Sequence, residues 1–128
     1  MIFCDNALNL LQHVAPDTAN LCVTSPPYWD VLRRQRTADH KAARAYGDHV
    51  EDLGKIADYG TFLNALAQIM ERVLTTLRPG AYCCVVVMDL RKRAHFYPFH
   101  ADVAARMERI GFIYDDLIIW DRRHEYNN

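Results

Sequence analysis

The sequence lacks a charge excess: 15 Lys and Arg stand against 16 Asp and Glu, a formal net charge of −1. Without a global basic field, any nucleic-acid partner has to be held by a local patch. Long hydrophobic runs are missing too. The run Cys83 to Met88 falls far short of the roughly 20 apolar residues that span a bilayer, and no basic segment leads into an apolar one at the N-terminus. These absences predict a soluble, cytoplasmic protein. Gly and Pro are sparse, at 5 each, which excludes collagen-like and low-complexity chains. His40 and His49, or His95 and His100, miss the i, i+4 pair and the Cys/His sets of zinc sites, so no metal is expected. Cys4, Cys22, Cys83 and Cys84 lie inside apolar stretches, the pattern of reduced, buried thiols rather than of a disulfide framework.

What is present is ordinary globular composition, with 51% hydrophobic and 24% charged residues in a chain of 128. That length is about one domain, and residues 1–128 are read as one. Met1 to Cys4 reads as a first strand. Asp5 and Asn6 then offer a cap to a short helix bearing Leu8, Leu11 and Val14, which Pro16 and Asp17 end. Leu21 to Thr24 is an apolar run between turn residues, as a strand buried on both faces would be. Asp58 caps a helix whose Phe62, Leu63, Leu66, Ile69, Met70, Val73, Leu74 and Leu77 form one broad apolar face. Leu77-Arg78-Pro79-Gly80 stops it, and Ala81 to Met88 reads as a central strand. A basic loop, Arg91-Lys92-Arg93, leads to a helix from about Pro98 to Ile110. Gly111 closes that helix, and Phe112 to Trp120 reads as a further strand. Alternating strands and helices predict an α/β fold, a three-layer sandwich with a largely parallel sheet.

Between residues 29 and 60 the periodicity is lost. Arg33, Arg34, Arg36, Lys41 and Arg44 collect in the first half of this stretch, and Asp48, Glu51 and Asp52 follow. Long irregular segments in compact domains commonly carry function, so the basic half is a candidate for phosphate contact. The chemistry-bearing run is Thr24-Ser25-Pro26-Pro27-Tyr28-Trp29, directly after a buried strand, where α/β sheets bind ligands. Each proline fixes its own φ and holds the residue before it extended. Neither has an N–H, so the turn offers carbonyl acceptors and the Ser25 hydroxyl beside two aromatic faces. A flipped base with an exocyclic amine would need such acceptors and such a face.

The run Thr24-Ser25-Pro26-Pro27-Tyr28 resembles the catalytic motif of the S-adenosylmethionine-dependent DNA amino-methyltransferases, which act on cytosine N4 or adenine N6. A leading Ser is more similar to the cytosine-N4 branch. The resemblance extends from Met1 to about Trp120, with Leu77-Arg78-Pro79-Gly80 and its strand similar to the family's next segment. It implies a Rossmann-like methyltransferase fold of prokaryotic, restriction-modification type, with DNA as partner. Ser25, Pro26, Pro27 and Tyr28 would be catalytic and Asp5 would sit near the cofactor's adenosine. Trp29 would line the base pocket, while Arg33, Arg34, Arg36 and Lys41, within a DNA-facing loop over 29–60, would reach the phosphates.

One family feature is missing. A Phe-x-Gly-x-Gly turn holds the cofactor in the family, yet Gly47, Gly54, Gly60, Gly80 and Gly111 include no pair two residues apart. The family is known in circular permutations, so the resemblance covers its catalytic-motif half, with an incomplete cofactor site. A second chain or a further segment would then carry the other half. Two other readings stay open: a catalytically silent binding module, and a methyltransferase acting on RNA or a protein amide.

Overall fold

The computed structural model describes residues 1–30 and 52–121. Asn6 caps the first helical segment by accepting a hydrogen bond from the Leu8 N–H at 2.9 Å, and Ala7–Gln12 winds as a 3-10 helix. β1 follows over Ala19–Thr24. A short 3-10 turn, Leu53–Lys55, precedes α1 (Tyr59–Thr76). The Asp58 carboxylate caps α1, taking hydrogen bonds from the Thr61 N–H and hydroxyl at 2.7 Å each. These bonds hold its carboxyl below the ordinary value. Phe62, Leu63, Leu66, Met70 and Val73 are buried along one stripe of α1, as the sequence spacing predicts.

β2 (Leu77–Val85) starts at the end of α1, four residues before the expected Ala81. Gly80 makes the change of direction possible, because its φ of 79° lies where L side chains are disfavoured. Arg78 pins the start of the sheet, its guanidinium donating to the Asp17 carbonyl and to Asn20 Oδ1. β1 and β2 pair in parallel, with Leu21 opposite Tyr82, Cys22 opposite Cys83 and Val23 opposite Cys84. The Cys22–Cys83 hydrogen bond pulls the Cys22 thiol below its ordinary value and pushes Cys83 above it. All four cysteines are free, but Cys4 and Cys84 are exposed and the other two only half-buried, so they are not the core thiols expected.

After β2, the basic loop turns out to be an antiparallel hairpin of β3 (Leu90–Lys92) and β4 (His95–Tyr97). α2 (Phe99–Arg109) comes next and lies against α1. Gly111, with φ 111°, ends it where a Cβ would come within 3.3 Å of Leu74 Cδ2.

The fold is therefore α/β with a parallel sheet of Rossmann-like type, and it is incomplete. One sheet face, with Cys22, Ala81, Cys83 and Val85, packs against the core. The opposite face exposes Leu21, Val23, Tyr82, Val86 and Met88, without a charged side chain among them. Parallel sheets are ordinarily covered on both faces, and the third layer is not among the described residues.

Two expected strands are not formed. Met1 to Cys4 and Phe112 to Trp120 join no strand ladder among the described residues, and Ile113 and Trp120 are 89% and 79% exposed. Both have strand-like composition, but a strand exists only where a neighbour satisfies its backbone groups. No described helix is long and apolar enough to cross a membrane.

Candidate active site

β1 delivers the proline turn to the carboxyl end of the sheet, where the Thr24 carbonyl still accepts from the Val86 N–H at 2.8 Å. Ser25 emerges into solvent, Pro26 is buried, and Pro27 and Tyr28 are half-buried. The turn brings the Ser25 and Tyr28 hydroxyl oxygens to 3.0 Å, within hydrogen-bond distance. The Tyr28 ring meets Phe99 edge-on at 6.3 Å between centroids. A hydroxyl that can donate or accept thus stands beside a partly exposed aromatic ring on a backbone stiffened by two prolines.

Trp29 does something different from its neighbours. It is 4% exposed, and its indole N–H donates to the Ile56 carbonyl at 2.9 Å. The ring packs between Tyr59 and Tyr97, at 5.0 and 5.2 Å. Its φ of 51° is left-handed, a cost of about 1–2 kcal/mol for an L residue that the packing offsets. Trp29 consequently offers no open face and acts as the anchor of the turn. Lys92 adds a second tie, its Nζ lying 3.8 Å from the Trp29 ring centre and 2.8 Å from Asp30 Oδ2. Behind Trp29, the Tyr59 hydroxyl donates to Asp102 Oδ2 at 2.8 Å. Burial first, then that carboxylate, push the Tyr59 phenol well above its ordinary value, so it remains a donor.

Asp5 is exposed and already engaged. Its carboxylate accepts from the Asn6 N–H, the Asn9 amide and the His13 ring at 2.7, 3.0 and 2.7 Å. His13, then Asn9 and Asn6, hold its carboxyl below the usual range. No hydrogen bond joins it to the proline turn among the described residues.

Asp89, beyond β2, accepts from both the His100 N–H and the His100 ring, at 3.1 and 2.6 Å. Burial pushes its carboxyl up, but these bonds outweigh burial and leave it below its ordinary value. A depressed folded-state value means that the stabilisation is present above the unfolded value, near 4, and is lost as pH falls through the folded one. Asp89→Asn should accordingly lower the melting temperature at pH 7, with the gap from wild type closing below about pH 4. A gap that stays constant down to pH 2.5 would remove the hydrogen-bonded Asp89 carboxylate from the account of stability.

Of the residues singled out by sequence, the structure brings Ser25, Pro26, Pro27 and Tyr28 together and leaves Asp5 apart. Arg33, Arg34, Arg36 and Lys41 lie outside the described residues, as does most of the 29–60 loop. Phe99, Tyr59, Lys92 and Asp30, which hold the turn, were not legible as a group, since they come from four separate segments. The only signal was the aromatic density around Tyr97-Pro98-Phe99. Among the described residues no cluster of three His, Cys, Asp or Glu side chains could hold a metal ion.

No family profile matches the sequence. Type II methyltransferase M.MjaI of Methanocaldococcus jannaschii is 24% identical over 126 residues, a match covering 88% of this chain and 42% of that protein. A crystal structure of a protein assigned as a DNA modification methylase from Thermus thermophilus superposes with a TM-score of 0.60. The two are 31% identical, and the match covers 85% of this chain and 39% of the other. The same Thermus protein complexed with S-adenosyl-L-methionine gives a TM-score of 0.58 at 30% identity, over 84% of this chain and 39% of the other. The chain thus spans about two-fifths of the length of these relatives.

Proposed function

We propose, from its likeness to DNA methyltransferases, that the chain forms the target-base half of an enzyme methylating an exocyclic amine of DNA, cytosine N4 foremost. The observation that carries the reading is the pair of hydroxyls, Ser25 and Tyr28, 3.0 Å apart on the proline turn. Ser25 Oγ and the Pro26 carbonyl accept from the target amine, which loosens the lone pair that the ring otherwise withdraws. The Tyr28 ring stacks on the extruded base. Pro27 keeps the turn rigid, so the acceptors need no reorganisation when the amine arrives. No covalent intermediate with the protein is required.

The methyl donor proposed is S-adenosylmethionine, which when bound supplies an electrophilic methyl group. The residues present do not make its site by themselves. Asp5 has its carboxylate occupied by three donors, and no glycine pair lets backbone approach a ligand closely. A complementary portion, in a second chain or a further segment, is proposed to carry the glycine turn. The uncovered apolar sheet face supports this, because such a face needs a layer against it. DNA is the proposed partner, with Arg33, Arg34, Arg36 and Lys41 among its phosphate contacts.

A silent binding module is the second reading, favoured by the occupied Asp5 carboxylate. Nucleoside mass spectrometry of DNA exposed to the assembled enzyme separates them. N4-methylcytosine is the expected product. N6-methyladenine as sole product would overturn the cytosine assignment and keep the amine chemistry, 5-methylcytosine would overturn the mechanism, and unmodified DNA would favour the silent module.

A further inference from the structure

We infer that the β3–β4 hairpin is a DNA-backbone clamp beside the proline turn, with Arg91 and Arg93 gripping phosphates that flank the target base. The inference rests on the reading of the chain as part of a DNA methyltransferase and extends it to a surface outside the motif.

The hairpin's two faces have different roles. Leu90 is buried, Lys92 lies over the Trp29 ring and pairs with Asp30, and Tyr97 packs on Trp29 and Tyr59. This side fixes the hairpin rigidly against the residues that follow Tyr28. Strand alternation turns Arg91 and its cross-strand partner Phe96 the other way. Both are exposed, and the Arg91 guanidinium sits 5.8 Å over the Phe96 ring, which restricts its rotamers before any ligand arrives. Neither Arg91 nor Arg93 has a carboxylate partner among the described residues. In a chain of net charge −1, two such guanidinium groups within three residues form a local field.

Backbone geometry is a second, independent observation. Arg93 opens the tight loop between the strands with a φ of 57°, where Gly or Asn is the favoured residue. An Arg there strains the fold, and such strain at an exposed turn points towards function rather than folding. A planar, permanently charged fork suits phosphate oxygens.

The test is binding of a duplex oligonucleotide to the full chain, followed by fluorescence anisotropy across a series of NaCl concentrations. Each phosphate contact contributes about 0.9 to the slope of log K against log salt. Arg93→Gly should reduce that slope by about 1 and Arg91→Gln with Arg93→Gly by about 2. Arg93→Gly should also leave the melting temperature equal to or above wild type, since glycine relieves the positive φ; a merely structural arginine would not separate the two readouts. Wild-type slopes in both variants would overturn the clamp alone. No binding of duplex by wild type at low salt would overturn the clamp together with DNA as the partner.

Discussion

Phe99→Ala is expected to lower stability by about 3–5 kcal/mol. Phe99 is 0% exposed at the first turn of α2, and its ring meets Phe62 of α1 at 5.8 Å, Tyr59 at 6.4 Å and Tyr28 at 6.3 Å. It therefore joins the two helices to the proline turn at a single point. Truncation removes the ring's transfer energy and leaves a cavity among three aromatic neighbours that are themselves held by other contacts, so collapse is limited. Domains of this size are stable by only about 5–15 kcal/mol in total, so the variant should lose a large share of its margin. A urea titration of both proteins reads the effect. A loss under about 1 kcal/mol would mean that the site closes around the missing ring and that Phe99 does not brace the turn.

On the proposed reading, Tyr28→Ala should lower the methylation efficiency of the assembled enzyme by roughly 5- to 150-fold, the worth of about 1–3 kcal/mol of base stacking. Tyr28 is half-buried and touches Phe99 only edge-on, so its truncation should cost less stability than that of Phe99. Tyr28→Phe divides the effect. It keeps the stacking face and removes the hydroxyl that stands 3.0 Å from Ser25. The Phe variant should retain most activity if the ring is what the base uses, and fall with the Ala variant if the hydroxyl orients Ser25. Single-turnover assays on DNA, with melting temperatures for both variants, check this. Wild-type efficiency in Tyr28→Ala would remove the stacking role.

Elements that own a complete local signal were legible in the sequence. α1 combines a capping Asp58 with a long apolar stripe, and the helix forms over Tyr59–Thr76. β1 was read from Leu21 to Thr24 and extends two residues further towards its start, but it is buried on one face only, with Leu21 and Val23 exposed, and not on both as expected. α2 was bounded within one residue by Pro98 and Gly111, each of which acts through its own backbone restrictions. The proline turn belongs here as well, since its stiffness is a property of Pro26 and Pro27 whatever surrounds them.

Pairing and burial were decided elsewhere. Phe112 to Trp120 has the composition of a strand and forms none among the described residues, while Leu90–Lys92 has little of it and does pair, with His95–Tyr97. A ladder is a property of two segments, and a short hairpin fixed by Lys92 on Trp29 and Asp30 draws its stability from partners some sixty residues away. Trp29 and Tyr28 are adjacent aromatics that the sequence treats alike, yet one is an anchor in the core and the other faces the candidate site. The chain alone determined the stiffness and the hydrogen-bonding capacity of the turn, because both are local. Only the tertiary structure decided which aromatic is exposed, which way each hairpin side chain turns and which sheet face is left open, because burial and charge pairing depend on what long-range packing brings alongside.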